Sequence, residues 1–354
     1  DNLPAFLTPM VGRGQELAEL KGILSQTSCR LLTVLGPGGS GKTRLAMELA
    51  RTMRAAFPDG VFFVGLNPVQ SPDSILPAIA EALDLPRHQS DDQQTLLVNY
   101  LQARRLLLVL DGFEHLLASA EGIADLLQRA PDLTILVTSR ARLNLKGEHL
   151  YPLAGMRYPP EGASLAEIQQ SDAVQLLLPA RRRAHPGFQP TPGDLEYLRQ
   201  VCQQVLGMPL GLLPAASWGG TLELEEIAKM ISQDLDYLEA DWAEVPARQR
   251  SMRATFDHTW ELLTERHQAL FRCLSVFRGA FTRRAARVVC QASPHELRQL
   301  VDCSLLWHKT PGWYEVHELL RQYGGERLAQ FDQDEGQVCS RHSQYYLGQL
   351  SRLQ

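Results

Sequence analysis

The stretch Leu31–Ala46, LLTVLGPGGSGKTRLA, constrains this chain more than any other. An apolar run leads into a glycine-rich turn, and the turn leads into a helix-forming segment. Gly36, Gly41, Lys42 and Thr43 fill the spacing G-x-x-x-x-G-K-[ST], with Gly38, Gly39 and Ser40 between them and Arg44 directly after. Glycines let the backbone curl so that successive N–H groups point inward, where they can cradle phosphate oxygens. The helix that follows adds its unpaired N–H groups and the positive end of its dipole. Lys42 supplies a mobile charge for the outer phosphates, and the Thr43 hydroxyl is placed to ligate Mg²⁺. The stretch therefore reads as a phosphate-binding P-loop, with ATP or ADP and Mg²⁺ as the expected ligands.

The remaining strands follow from this anchor. Val61–Leu66, Leu106–Leu110, Thr134–Thr138 and His149–Leu153 are short apolar runs separated by helical patterns, with little alternation of polar and apolar residues. Such runs indicate a parallel sheet covered on both faces, and ligands bind at the carboxyl ends of its strands. The P-loop, Asp111 and Ser139–Arg140 all fall at those ends. Asp111 closes an apolar strand 69 residues after Lys42 and is the expected Mg²⁺-holding acid. Gly112 follows it, where many ATPases of this kind place a second acid as base for the attacking water. Glu114 is the nearest substitute, so hydrolysis is expected to be slow. Lys42, Asp111, Glu114 and Arg140 form the expected catalytic set, and Thr43 with Asp111 the expected metal ligands.

The pattern changes after residue 155. Met156–Ser164 reads as a linker, and the segments that follow are helical: Ser171–Arg182, Gly193–Leu206, Leu210–Trp218 and Leu222–Ile231, with Ser171 and Thr221 as helix caps. A third unit begins near Val245. Its helices end in a hairpin, Leu305–His308 and Trp313–Val316, around Pro311–Gly312, which describes a winged helix. Helices over Glu318–Gln330 and Ser340–Leu353 complete the reading. The expected division is 1–155 nucleotide-binding α/β domain, 156–244 helical domain, 245–330 winged-helix domain, and 331–354 a helical segment that could open a repeat array.

Four blocks in fixed order resemble a known family: MVGR (Met10–Arg13), GPGGSGKTRLA, LLLVLDGFEHL and ILVTSR. They look like the STAND class of signal-transduction ATPases and, within it, the NB-ARC group of apoptotic-factor and plant disease-resistance switches and their bacterial regulator relatives. SDAVQLLL, GMPLGLL, RQRSMRATFDHTWELL and YEVHELLRQYG extend the likeness to about residue 325. The resemblance implies roles. Val11 and Arg13 would contact the base and ribose, Arg140 would sense the γ-phosphate, Pro209 would pack on the adenine, and His317 would contact the β-phosphate of ADP. The eukaryotic motif has Met before and Asp after that histidine, where this chain has Val316 and Glu318. It further implies a closed ADP-bound monomer and an open, self-associating ATP form, with sensor and effector modules outside this segment.

Two rival functions stand beside the switch: a conventional turning-over P-loop ATPase using Glu114, and a DNA-binding transcription regulator using the winged helix. Arg283, Arg284 and Arg287 share one helix, and residues 245–330 carry 13 Lys and Arg against 8 Asp and Glu. The alanines and valines around those arginines offer nothing to base edges, so the reading goes against DNA recognition by this segment. The net charge of −5 also argues against a strongly basic binder and leaves a local basic patch open. Six scattered cysteines form no C-x-x-C pair, and no 18-residue apolar run or signal peptide is present, so a cytoplasmic protein off the membrane is expected. The chain opens without methionine and stops in mid-helix, as an excised segment would.

Overall fold

The computed structural model describes residues 1–6, 8–86, 93–218, 222–233, 251–303 and 305–351. Two compact units divide them: the first is Asp1–Gly36 with Ser40–Ala154, the second Pro37–Gly39 with Gly155–Gln354.

The first unit is a three-layer α/β structure. Helix α1 (Gly14–Leu24) precedes β1 (Leu31–Leu35), which feeds through the P-loop into α2 (Lys42–Met53). Then come β2 (Val61–Gly65), α3 (Ile75–Ala82), α4 (Gln93–Gln102), β3 (Leu107–Asp111), α5 (Ala120–Arg129), β4 (Thr134–Ser139) and β5 (Glu148–Pro152). All five strands are parallel, in the order β2-β3-β4-β1-β5. The three strands at the centre are almost wholly buried, which is why their sequences run apolar without alternation. One apolar layer packs Leu32, Val34, Val109 and Leu136 against Leu45, Leu49 and Met53 of α2. The other packs Leu108, Leu110, Ile135 and Val137 against helices α3 to α5. Register fixes the strand ends: Leu35 lies opposite Ser139, and Asp111 opposite Thr138. In this unit every strand expected from the sequence is present within one residue at either end, whereas the strand expected over Leu305–His308 runs Trp307–Thr310. The segment after Asp111 differs, because two 3₁₀ turns, Phe113–His115 and Leu117–Ser119, precede α5. Gly112 starts the first of them in a left-handed conformation, which a continuous helix does not allow.

The second unit is helical with one small sheet. It contains α6 (Leu165–Gln170), α7 (Asp172–Ala184), α8 (Pro192–Gln204), α9 (Pro209–Ser217) and α10 (Leu224–Gln233). Next follow α11 (Met252–Glu261), α12 (Glu265–Leu274), β6 (Phe281–Thr282), α13 (Arg283–Cys290) and α14 (Pro294–Asp302). The chain ends in β7 (Trp307–Thr310), β8 (Trp313–Glu315), α15 (Glu318–Ala329) and α16 (Asp332–Leu350). Reciprocal capping boxes at Ser164/Glu167, Thr191/Asp194 and Ser293/Glu296 fix the starts of α6, α8 and α14. One apolar core runs from Met156 to Val338. The expected boundary near Val245 and the cap at Thr221 lie outside the described residues. Ser171 occupies the position before α7, yet its hydroxyl donates to the Ile168 carbonyl and does not cap the helix.

Three further differences from the sequence reading are local. Helix α6 was not expected. The hairpin is joined by a third strand, β6, too short to give a sequence signal, and the sheet order is β6-β8-β7. The last helix begins at Asp332 and not at Ser340: Gly336 breaks the pattern but is tolerated within the helix, where Val338 anchors it in the core.

Two glycines give a contrast that unfolding can measure. A Cβ on Gly36 would stand 2.3 Å from the Leu153 carbonyl oxygen, whereas one on Gly122, inside α5, would meet nothing within 4 Å. Gly36→Ala is expected to destabilise the first unit by about 1–3 kcal/mol. Gly122→Ala is expected to stabilise it by about 0.5–1 kcal/mol. Denaturant titration of both variants checks the opposite signs.

Candidate nucleotide site

The P-loop is built by backbone conformation. Gly39 and Gly41 adopt φ of 78° and 90°, a region closed to most side chains. Gly41 stands at the N-cap of α2 with no side chain capping the helix, so the first-turn N–H groups of a 12-residue helix open onto the loop. Gly38 and Ser40 are buried. Lys42 Nζ donates to the Gly36 carbonyl at 2.8 Å. Desolvation lowers its pKa to about 8, opposed by the carboxylates of Glu114 and Asp111 and reinforced by Arg140.

The strand ends bring the expected catalytic residues together. Asp111 is buried, and desolvation raises its pKa against hydrogen bonds from Thr138 and Thr43 and the charge of Lys42. Thr138 Oγ1 donates to Asp111 Oδ1 at 2.6 Å and accepts from Gly112 N–H at 3.0 Å, so it fixes both the acid and the turn that follows. Glu114 sits on that turn and accepts from Arg140 Nε at 3.1 Å, with both side chains under 10% exposed. Lys42, Thr43, Asp111, Glu114 and Arg140 thus form one electrostatic cluster. Thr138 was not singled out from the sequence, because a threonine inside an apolar strand reads as a β-former.

The chemistry of this donor set fits a nucleoside phosphate with Mg²⁺. The loop offers backbone N–H groups and a lysine to phosphate oxygens, and the Thr43 hydroxyl lies within hydrogen-bonding reach of the one acid that ends a central strand. Gly112 explains the missing second acid. Its φ is 82°, and a Cβ there would lie 2.9 Å from Asn67 Oδ1.

The residues assigned by resemblance are more dispersed. Val11 is half-buried. Arg13 follows Gly12 in a second left-handed conformation, and its guanidinium is buried. It bonds to Glu16 at 2.7 Å, to the Ser40 carbonyl at 3.1 Å and to the Ala154 carbonyl at 2.7 Å, so it braces the P-loop. Arg44 bonds to Thr8 and stacks on the Phe6 ring at 4.4 Å. Pro209 and His317 belong to the second unit. Pro209 is the first residue of α9, a position that tolerates a missing N–H. His317 caps α15, its Nδ1 accepting from Leu319 N–H at 3.2 Å. Desolvation depresses its pKa to about 4, against Glu318 and a hydrogen bond to the Gln203 backbone.

The comparisons with known proteins concern the fold and the family. Residues 25–146 match the family model described as an AAA domain. The "Putative HTH-type transcriptional regulator Rv0890c" of Mycobacterium tuberculosis is 32% identical over 345 residues, covering 94% of this chain and 37% of the relative. The chain thus spans little over a third of that protein's length. The "Uncharacterized protein Rv0894" of the same organism is 31% identical over 284 residues, covering 80% of this chain and 69% of the relative. Among solved structures, the ORC2 protein of Aeropyrum pernix, determined as ADPNP–ADP complexes, superposes with a TM-score of 0.52. That match covers 97% of this chain and 98% of the other at 15% identity, a likeness of fold. Among the described residues, no helix is long and apolar enough to cross a membrane.

Two expectations follow. Gly112→Asp is expected to lower stability by about 1–3 kcal/mol, because it forces a side chain onto a left-handed residue, and to leave steady-state ATP turnover no faster. Calorimetry and a phosphate-release assay read both. For His317, the unfolded chain binds the proton more readily than the folded one between pH 6.5 and about 4. Its contribution to stability is therefore intact above 6.5 and is lost as pH falls through that window. Denaturation across pH is expected to show a flatter profile for His317→Asn than for the parent.

Proposed function

We propose that this chain, a P-loop protein of the STAND-class, NB-ARC-like family, is a nucleotide-gated signalling switch. The observation that supports this most is the buried Arg140–Glu114 pair beside Lys42. On this proposal Arg140, which would read a third phosphate, is committed to Glu114, which would position a water. In this reading the P-loop N–H groups and Lys42 hold the outer phosphates, and Thr43 with Asp111 hold Mg²⁺. The metal, when bound, offsets phosphate charge. Arg140 turns toward a γ-phosphate when one is present and loosens its hold on Glu114. With a diphosphate the pair stays closed and Glu114 stays unavailable, so turnover is slow. Pro209 and His317 serve as the contacts of the second unit with ADP, and Arg13 and Val11 support the base side. The division of the second unit into a helical and a winged-helix domain is part of the same proposal, as is self-association of the ATP form. Because a relative is named as a transcriptional regulator, control of transcription is the proposed output class.

A ligand moves such an equilibrium only through its different affinity for the two states. The test is to denature purified protein, identify any released nucleotide by chromatography, and measure particle size in parallel. ADP in near-stoichiometric amount from a monomer is the expected result. His317→Ala is then expected to lose ADP and to associate on adding ATP more readily than the parent. Nucleotide-free protein that hydrolyses ATP steadily, with a large loss in Glu114→Gln, favours a conventional ATPase and overturns the switch.

A further inference from the structure

Helix α13 turns all of its charge outward. Ala285, Ala286, Val289 and Cys290 are buried, while Arg283, Arg284, Arg287 and Val288 face solvent. Elsewhere in the second unit several arginines are paired, Arg253 with Glu326, Arg266 with Glu296, Arg321 with Glu318 and Arg327 with Asp257, while Arg182, Arg183, Arg278 and Arg298 are exposed like those of α13 but are not gathered on one helix face with an aromatic ring. The three on α13 form no ion pair among the described residues. Their field is therefore left for something outside the chain.

The short strand β6 adds a second component to this face. It pairs with β8 in the register Thr282 opposite Trp313, and Arg283 N–H donates to the Gly312 carbonyl at 3.0 Å. Thr282 also caps α13 through the Ala285 N–H. The hairpin and the helix start are thus tied together, and Trp313, 45% exposed, stands at the basic end of α13. Trp313 is not among the side chains packed against the core.

We propose that α13 and the Trp313 hairpin form a docking surface for the sugar–phosphate backbone of duplex DNA, engaged without sequence preference. Guanidinium groups suit phosphate, which they bind with forked hydrogen bonds. The intervening Ala and Val side chains carry no group that reads a base edge, so the surface positions and does not specify. Single strands are held by several aromatic rings on which successive bases stack, and this face has one. An anionic membrane calls for a broad apolar face, and here only Val288 and Trp313 are apolar. This surface does not depend on the nucleotide site, so it stands or falls apart from the switch.

The test is fluorescence anisotropy with labelled duplexes of two unrelated sequences, titrated over a range of salt. Binding at about 50 mM salt, equal for the two sequences and falling with a log–log slope set by phosphate contacts, is the expected result. Replacing Arg283, Arg284 and Arg287 together by Ala is expected to flatten that slope by about 0.9 per arginine. Replacing all three by Lys is expected to keep it. Trp313→Ala is expected to weaken binding at an unchanged slope. Circular dichroism melts establish that each variant folds, and the Lys variant reads the charge even where the Ala variant does not fold. No binding at low salt, an unchanged slope in the Ala variant, or tighter binding to a single strand or to anionic vesicles overturns the proposal.

Discussion

The hydrogen bond between Thr138 and Asp111 carries more of this structure than its size suggests. A carboxylate at the end of a central parallel strand is costly to bury, and here desolvation does push its pKa up. What keeps it usable is the neighbouring strand. Parallel register sets Thr138 directly across, and one hydroxyl serves the acid and the Gly112 N–H together. The turn after β3 is thereby fixed, and the turn places Glu114 where Arg140 at the end of β4 can reach it. Lys42 completes the set from α2 and feels the charges of all three. A sheet that pairs β1, β3 and β4 side by side thus assembles five polar side chains without any long loop.

Most of that assembly was legible in the sequence, because it rests on local rules. A P-loop is spacing plus glycine, and the strands announce themselves as unbroken apolar runs. Asp111 and Arg140 were identified from their places at strand ends. What stayed hidden depended on pairing across the chain. Thr138 acquires a role only when β3 and β4 are in register. Two left-handed residues, Gly12 and Arg13, also set the Arg13 side chain in hydrogen bonds to the Ser40 and Ala154 carbonyls, a bracing role that the sequence does not signal. Strand β6 is two residues long and exists because β8 pairs with it. The early start of α16 was missed because Gly336 weakens the helical pattern, which tertiary packing then overrides.

His317 shows the same division. Its position in a family-like motif was readable, and its cap on α15 was not. Nδ1 is engaged by the Leu319 N–H, so the neutral ring keeps its proton on the other nitrogen, the one left to donate. A residue noted for ligand contact is therefore also a structural part of the helix it begins. Any change there alters the end of α15 as well as whatever the ring touches.

The Arg13 guanidinium has one more consequence. It joins Ser40 in the P-loop to Ala154, which lies 141 residues after Arg13 and is the last residue of the first unit. A polypeptide leaving a domain ordinarily carries slack that grows with its free length. Here the last residue of the first unit is clamped to the P-loop. The loop and the departing chain share one anchor, and a displacement of either is loaded onto the same side chain.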